Sequence, residues 1–156
     1  VEVSTRTFFN YFSSKEAAVM ADSDEHAVQM FAALLARPAG EPIVVAVRNA
    51  VLSVLDEVGE PSRTWAAQVR LVRTTPSLLP YQLAENTRVE RELAAAVAQR
   101  TGMDRTRDMR PALVAASACA AVRVAAEAWM DRQSPLSLAE LVTEAMDQLA
   151  SGLPTP

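Results

Sequence analysis

The chain has 156 residues, half of them apolar, with one Cys, one His and a net charge of −4. That is enough apolar material for one sizeable core, and too little Cys and His for a disulfide framework or a His/Cys metal site, so no cofactor or metal is expected and a reducing, cytoplasmic setting fits. Bulk charge is wrong for indiscriminate nucleic-acid binding, so any DNA contact must be local.

Aromatics make up 5% and glycines number four, a balance that suits helices and predicts an all-α fold. Val1 is no initiator and no signal-peptide pattern precedes the first helical residues, so an upstream piece is expected. No run reaches about 18 uninterrupted apolar residues. The longest candidate, Ile43 to Leu55, is broken by Arg48, Asn49 and Ser53, so no membrane span is expected.

Residues 4–12 read as a short helical segment. Ser13 and Glu16 have the spacing of a capping box, which opens a longer helix over about 14–35. Pro38, Gly40 and Pro42 end that helix. From Ile43 to Val58 almost every position is apolar, which predicts a buried helix around which the others pack. Gly59 and Pro61 close it, and a helix over about 62–74 carries Trp65 and Val69 on one face.

The next helix, over about 77–100, lays Leu79, Leu83, Asn86, Glu90, Leu93 and Val97 along one stripe, with two polar groups interrupting an apolar face. Residues 101–110 are polar, and with Arg100 they offer Arg105, Arg107 and Arg110 as a solvated, arginine-rich loop. Pro111 begins a helix running to about Arg132, rich in small residues such as Ala116 and Ala120, which permits close approach by a neighbouring helix. Ser137 and Glu140 form a second capping box, and the helix behind it lines up Leu138, Leu141, Val142, Ala145 and Leu149.

Residues 3–16, VSTRTFFNYFSSKE, closely resemble the turn, recognition helix and following helix start of tetracycline-repressor (TetR) family regulators. The resemblance implies that residues 1–16 are the C-terminal part of a helix-turn-helix DNA-binding domain, and residues 17–156 a helical effector-binding and dimerisation domain. It implies a homodimer on double-stranded operator DNA, acting mostly as a repressor that a small-molecule effector releases.

The residue types suit those roles. Ser4 is a good N-cap, leaving free backbone N–H groups for phosphate. Thr5, Arg6 and Asn10 can reach base edges, where Arg pairs with guanine and Asn with adenine. Thr7, Tyr11 and Lys15 suit phosphate contacts, while Phe8 and Phe12, four apart, anchor the helix inward. Phe9 stands where the family usually has a Tyr, and Glu2 where it commonly has Gly.

The resemblance further implies that the last two helices pair with their copies, through Ala116, Ala120, Val124, Leu138, Leu141, Val142, Ala145 and Leu149. The helices between enclose an effector pocket, for which Trp65, Gln68, Val69, Leu79, Leu83, Asn86 and Glu90 are the candidates; Trp65, Asn86 and Glu90 serve equally well as packing or core-edge groups. His26 and Cys119 read as ordinary helix-face and core residues. An enzyme and a purely structural dimerisation module are the competing classes. Against an enzyme, the sequence has no nucleophile pairing, no H-E-x-x-H and no Gly-rich phosphate loop.

Overall fold

The computed structural model describes residues 15–59, 71, 74–131 and 136–153, with side chains from residue 26 onward except at Val58 and Asp131. Among them the secondary structure is helical throughout: α1 (Lys15–Ala36), α2 (Ile43–Val58), a 3-10 turn (Pro76–Leu78), α3 (Leu79–Thr101), α4 (Arg110–Asp131) and α5 (Leu138–Ala150). These bounds follow the predicted helices to within one or two residues at nearly every end. The expected helix over 62–74 and the Ser13 capping box fall mostly outside the described residues.

The helix ends are chemically specified. Pro42 precedes α2 and accepts the first helical bond, from the Ala46 N–H at 2.9 Å. Gly102 ends α3 in the left-handed region at φ 68, where a side chain would be strained. The predicted box at α5 is present: Glu140 N–H donates to Ser137 Oγ at 3.2 Å, and Ser137 N–H donates to Glu140 Oε2 at 2.7 Å.

One core joins all five helices, with Leu34, Val47, Leu93, Val97, Ala115, Val142 and Met146 among its buried members. Helix α4 packs against α3 and α5, α2 against α1 and α5, and α1 also against α3. Most of the buried residues of α3 and α4 are alanines, Ala94, Ala96 and Ala98 on α3 and Ala115, Ala118, Ala121 and Ala125 on α4. Such small side chains permit close approach of helix axes.

The apolar run of α2 is explained by its neighbours: every side chain described on it from Ile43 to Leu55 is buried or half-buried, and only its acidic end, Asp56 and Glu57, is open. Arg48 reaches across to pair with Asp147 of α5.

Helix α4 modifies one expectation. Residues Arg110–Met130 are long and apolar enough to cross a membrane, with a window hydropathy of 1.4. The test for an uninterrupted apolar run missed this because Ser117, Arg123 and Glu127 lie within it. Its buried alanines, Ala115, Ala118, Ala121 and Ala125, lie on the side that packs in the bundle.

Candidate functional site

Three surfaces bear on the expected function: the helix that follows residues 3–14, the stripe expected to hold an effector, and the outer face of the last two helices. Ser4, Thr5, Arg6, Thr7, Asn10 and Tyr11 lie outside the described residues, and Lys15 contributes only its backbone, as the first residue of α1.

The other end of α1 is held by polar contacts from three directions. Arg100, in the last turn of α3, donates to the carbonyls of Leu34 at 3.4 Å, Arg37 at 2.7 Å and Pro38. The Leu34 and Pro38 carbonyls also accept backbone bonds, from the N–H of Arg37 at 3.3 Å and of Glu41 at 3.0 Å, so Arg100 adds a second donor at the end of α1 and in the turn behind it. Arg37 forms a two-point pair with Glu41, both bonds 2.7 Å, and Asn49 of α2 donates to the same carboxylate at 2.7 Å.

The Arg37 guanidinium lowers the Glu41 carboxyl to about 2 from an ordinary 4.5, with Asn49 and the Arg100 charge adding to the effect. Arg48 in turn donates to Asn49 Oδ1 at 3.3 Å. A chain of polar contacts therefore runs from Asp147 on α5 through α2 to the end of α1. The sequence reading placed Arg100 in a solvated loop. A basic residue in the last turn of a helix was the available signal, but its target lies more than sixty residues away in sequence.

Of the effector stripe, Trp65, Gln68 and Val69 lie outside the described residues. On α3 the stripe divides: Leu93 and Val97 are core, Glu90 is half-buried, Asn86 is exposed, and Leu79 and Leu83 are 51% and 57% exposed. Glu90 faces Cys119 of α4, whose thiol is pushed up to about 11, first by burial and then by that carboxylate.

Two clefts are lined by described residues, and neither includes this stripe. A shallow one of about 380 Å³ lies between α2 and α5, with Asp56, Glu140, Glu144 and Asp147 around Leu52 and Ala139. A smaller one of about 180 Å³ is apolar and lies among Val44, Leu113, Val114, Ser117, Ala118, Met146 and Leu149.

The interface candidates separate into two groups. Leu138, Leu141 and Val142 are buried inside the protomer, with Met146 beside them. The resemblance implied a place at a partner surface for them; within the protomer the amphipathic stripe of α5 packs on α4 and α2. Ala116, Ala145 and Leu149 remain half-buried, and Ala120 and Val124 are exposed.

Sequence reasoning missed Leu113 and Ser117, which complete the pattern. Leu113, Ala116, Ser117, Ala120 and Val124 follow one another at three- and four-residue steps, with Leu113 54% and Val124 51% exposed. Leu113, Ser117 and Leu149 share the smaller cleft, so the bare face of α4 continues onto α5.

This arrangement defines a helical domain whose last two helices pack together and leave a small-residue face open. Residues 41–154 match the family described as the MftR C-terminal domain, a TetR-type C-terminal domain. The chain is 36% identical over 135 residues to the HTH-type transcriptional regulator TcmR of Streptomyces glaucescens, covering 83% of this chain and 60% of that protein. It is 27% identical over 151 residues to the putative mycofactocin biosynthesis transcriptional regulator MftR of Mycobacterium tuberculosis, covering 97% of this chain and 75% of that protein. The chain thus spans about three fifths of the length of its TcmR relative. It belongs to the TetR family of transcriptional regulators.

Proposed function

We propose that residues 1–16 form the C-terminal part of a helix-turn-helix and residues 17–156 an effector-binding and dimerisation domain, in a repressor that a small molecule releases from a palindromic operator. The observation that carries this reading is the join between the motif at residues 3–16 and a domain of TetR type beginning within the same chain.

In the intact protein, Ser4, Thr5, Arg6, Thr7, Asn10, Tyr11 and Lys15 face DNA, with Arg6 and Asn10 reading base edges and Lys15 meeting phosphate. Two such helices, related by a two-fold axis, sit about 34–36 Å apart on successive major grooves.

Dimerisation uses the face of α4 formed by Leu113, Ala116, Ser117, Ala120 and Val124, extended by Ala145 and Leu149 of α5. Its support is physical: the small residues allow close helix approach, and two large apolar side chains stand half-exposed at either end of the stripe. Paired α4 and α5 helices from both copies make a four-helix contact.

The effector is a small molecule held by the exposed half of α3, at Leu79, Leu83, Asn86 and Glu90, together with Trp65, Gln68 and Val69. An apolar wall carrying a few polar groups is the usual composition of such a site. Binding releases DNA to the extent that the effector prefers the conformation whose recognition helices are wrongly spaced.

The test is selection of duplexes from a random pool by the full-length protein, repeated with Arg6→Ala and Asn10→Ala combined. Enrichment of a palindrome by wild type, and its loss in the double variant with the dimer intact, is the expected result. Enrichment of the same palindrome by the double variant removes the base-reading assignment.

A further inference from the structure

Helix α1 links the proposed DNA-reading segment to the regulatory domain, and the way its C-terminal end is held has a geometric consequence. Its packing strip is narrow: over the described side chains only Ala27 and Leu34 are buried, Met30, Phe31 and Ala33 rest partly on the core, and Val28 and Leu35 are exposed. A strip of this width over residues 26–36 holds this half of the helix against sliding more than against tilt and roll.

At this end of α1, Arg100 adds a constraint on tilt. Its planar guanidinium grips the carbonyls of Leu34, Arg37 and Pro38, spanning the last turn of α1 and the residues that follow. A guanidinium has its donors in a rigid fork, so three acceptors held at once fix a direction as well as a position. The Arg37, Glu41 and Asn49 contacts tie the same turn to α2, so the grip is anchored on both sides.

With 22 residues at 1.5 Å each, α1 is about 33 Å long, and a tilt of about 5° at the clasp moves its far end by about 3 Å. One base pair is a step of about 3.4 Å along the duplex. We infer that Arg100 is a positioning residue that sets the tilt of α1, and through it the half-site spacing the dimer accepts on DNA. The inference rests on the DNA-reading role proposed above.

The experiment uses the full-length protein and the palindrome that wild type selects from the random pool, resynthesised with one base pair added or removed at its centre. Wild type is expected to lose about tenfold or more in affinity at either altered spacing, whereas Arg100→Ala loses less than about threefold while binding the best spacing nearly as well. Arg100→Lys keeps the charge but not the fork, and is expected to fall between; it carries the test if the alanine variant does not fold.

Leu93→Ala, a buried position on the same helix, controls for general loosening and is expected to keep the sharp spacing profile. The inference is overturned if the Arg100 variants discriminate spacing as sharply as wild type, or if Leu93→Ala flattens the profile equally. Failure of wild type to select any palindrome would instead remove the DNA-reading role, and this inference with it.

Discussion

The double substitution Leu113→Glu and Val124→Glu is expected to dissociate the dimer without unfolding the protomer. Fully burying a large aliphatic side chain contributes about 1.5–3 kcal/mol, and these two retain 54% and 51% of their exposure in the protomer, so each has about 1 kcal/mol still to gain from a partner. Two-fold symmetry makes four such side chains, about 4 kcal/mol, or about a thousandfold in the dissociation constant. Burying the new carboxylates adds to the penalty.

Sedimentation equilibrium from nanomolar to tens of micromolar protein reads the constant directly. Leu141→Ala is the contrasting variant. Its side chain is in the protomer core, so it should lower the melting temperature by about 5–10 °C, from a loss of about 2–3 kcal/mol, and leave the dimer constant within about threefold. A double variant that dimerises as tightly as wild type, or a Leu141→Ala protein that is well folded but monomeric, would refute the assignment of the interface to the bare face of α4.

Three further outcomes follow from the local chemistry. Ser137→Ala removes half of the capping box at α5 and should cost about 1 kcal/mol, seen as a fall of a few degrees in thermal unfolding; no change would mean that Glu140 alone suffices. Because the folded-state pKa of Glu41 is depressed from 4.5 to about 2, its stabilising contribution is complete above about pH 5 and is lost as pH falls toward 2. Glu41→Gln should therefore flatten the acid side of a plot of melting temperature against pH, and an unchanged slope over pH 2–6 would contradict the Arg37 pairing. Burial and Glu90 raise the Cys119 thiol from 9.0 to about 11, so its reaction with a disulfide reagent at pH 8 should be about a hundredfold slower folded than unfolded; equal rates would show that the thiol is open.

Most of the helix frame was legible because the signals were local. Pro42, Gly59, Gly102, Pro111 and the Ser137 box each act within a turn of where they stand, so reading them needs no knowledge of the partner helix. The burial of α2 could likewise be read from its unbroken apolar run. The face that α5 turns inward was equally visible, but not what it meets. An amphipathic stripe states only that something covers it, and Leu138, Leu141 and Val142 are covered by α4 and α2 of their own protomer. On α4 alanines surround the helix, and the two faces look alike in sequence. Only packing within the bundle distinguishes the buried Ala115, Ala118, Ala121 and Ala125 from the open Ala120. Arg100 was misread for a related reason: a cation near a helix end declares its charge, whereas its partners are carbonyls on a different helix.

The most direct test is the salt dependence of the full-length protein on its selected palindrome, with and without Lys15→Ala. If the motif at residues 3–16 meets DNA once per protomer, log affinity should fall linearly with log salt, and losing two Lys15 contacts should make the slope shallower by about 2. A slope identical in the two proteins, or no sequence-selective complex at moderate salt, would show that this segment does not meet DNA as described.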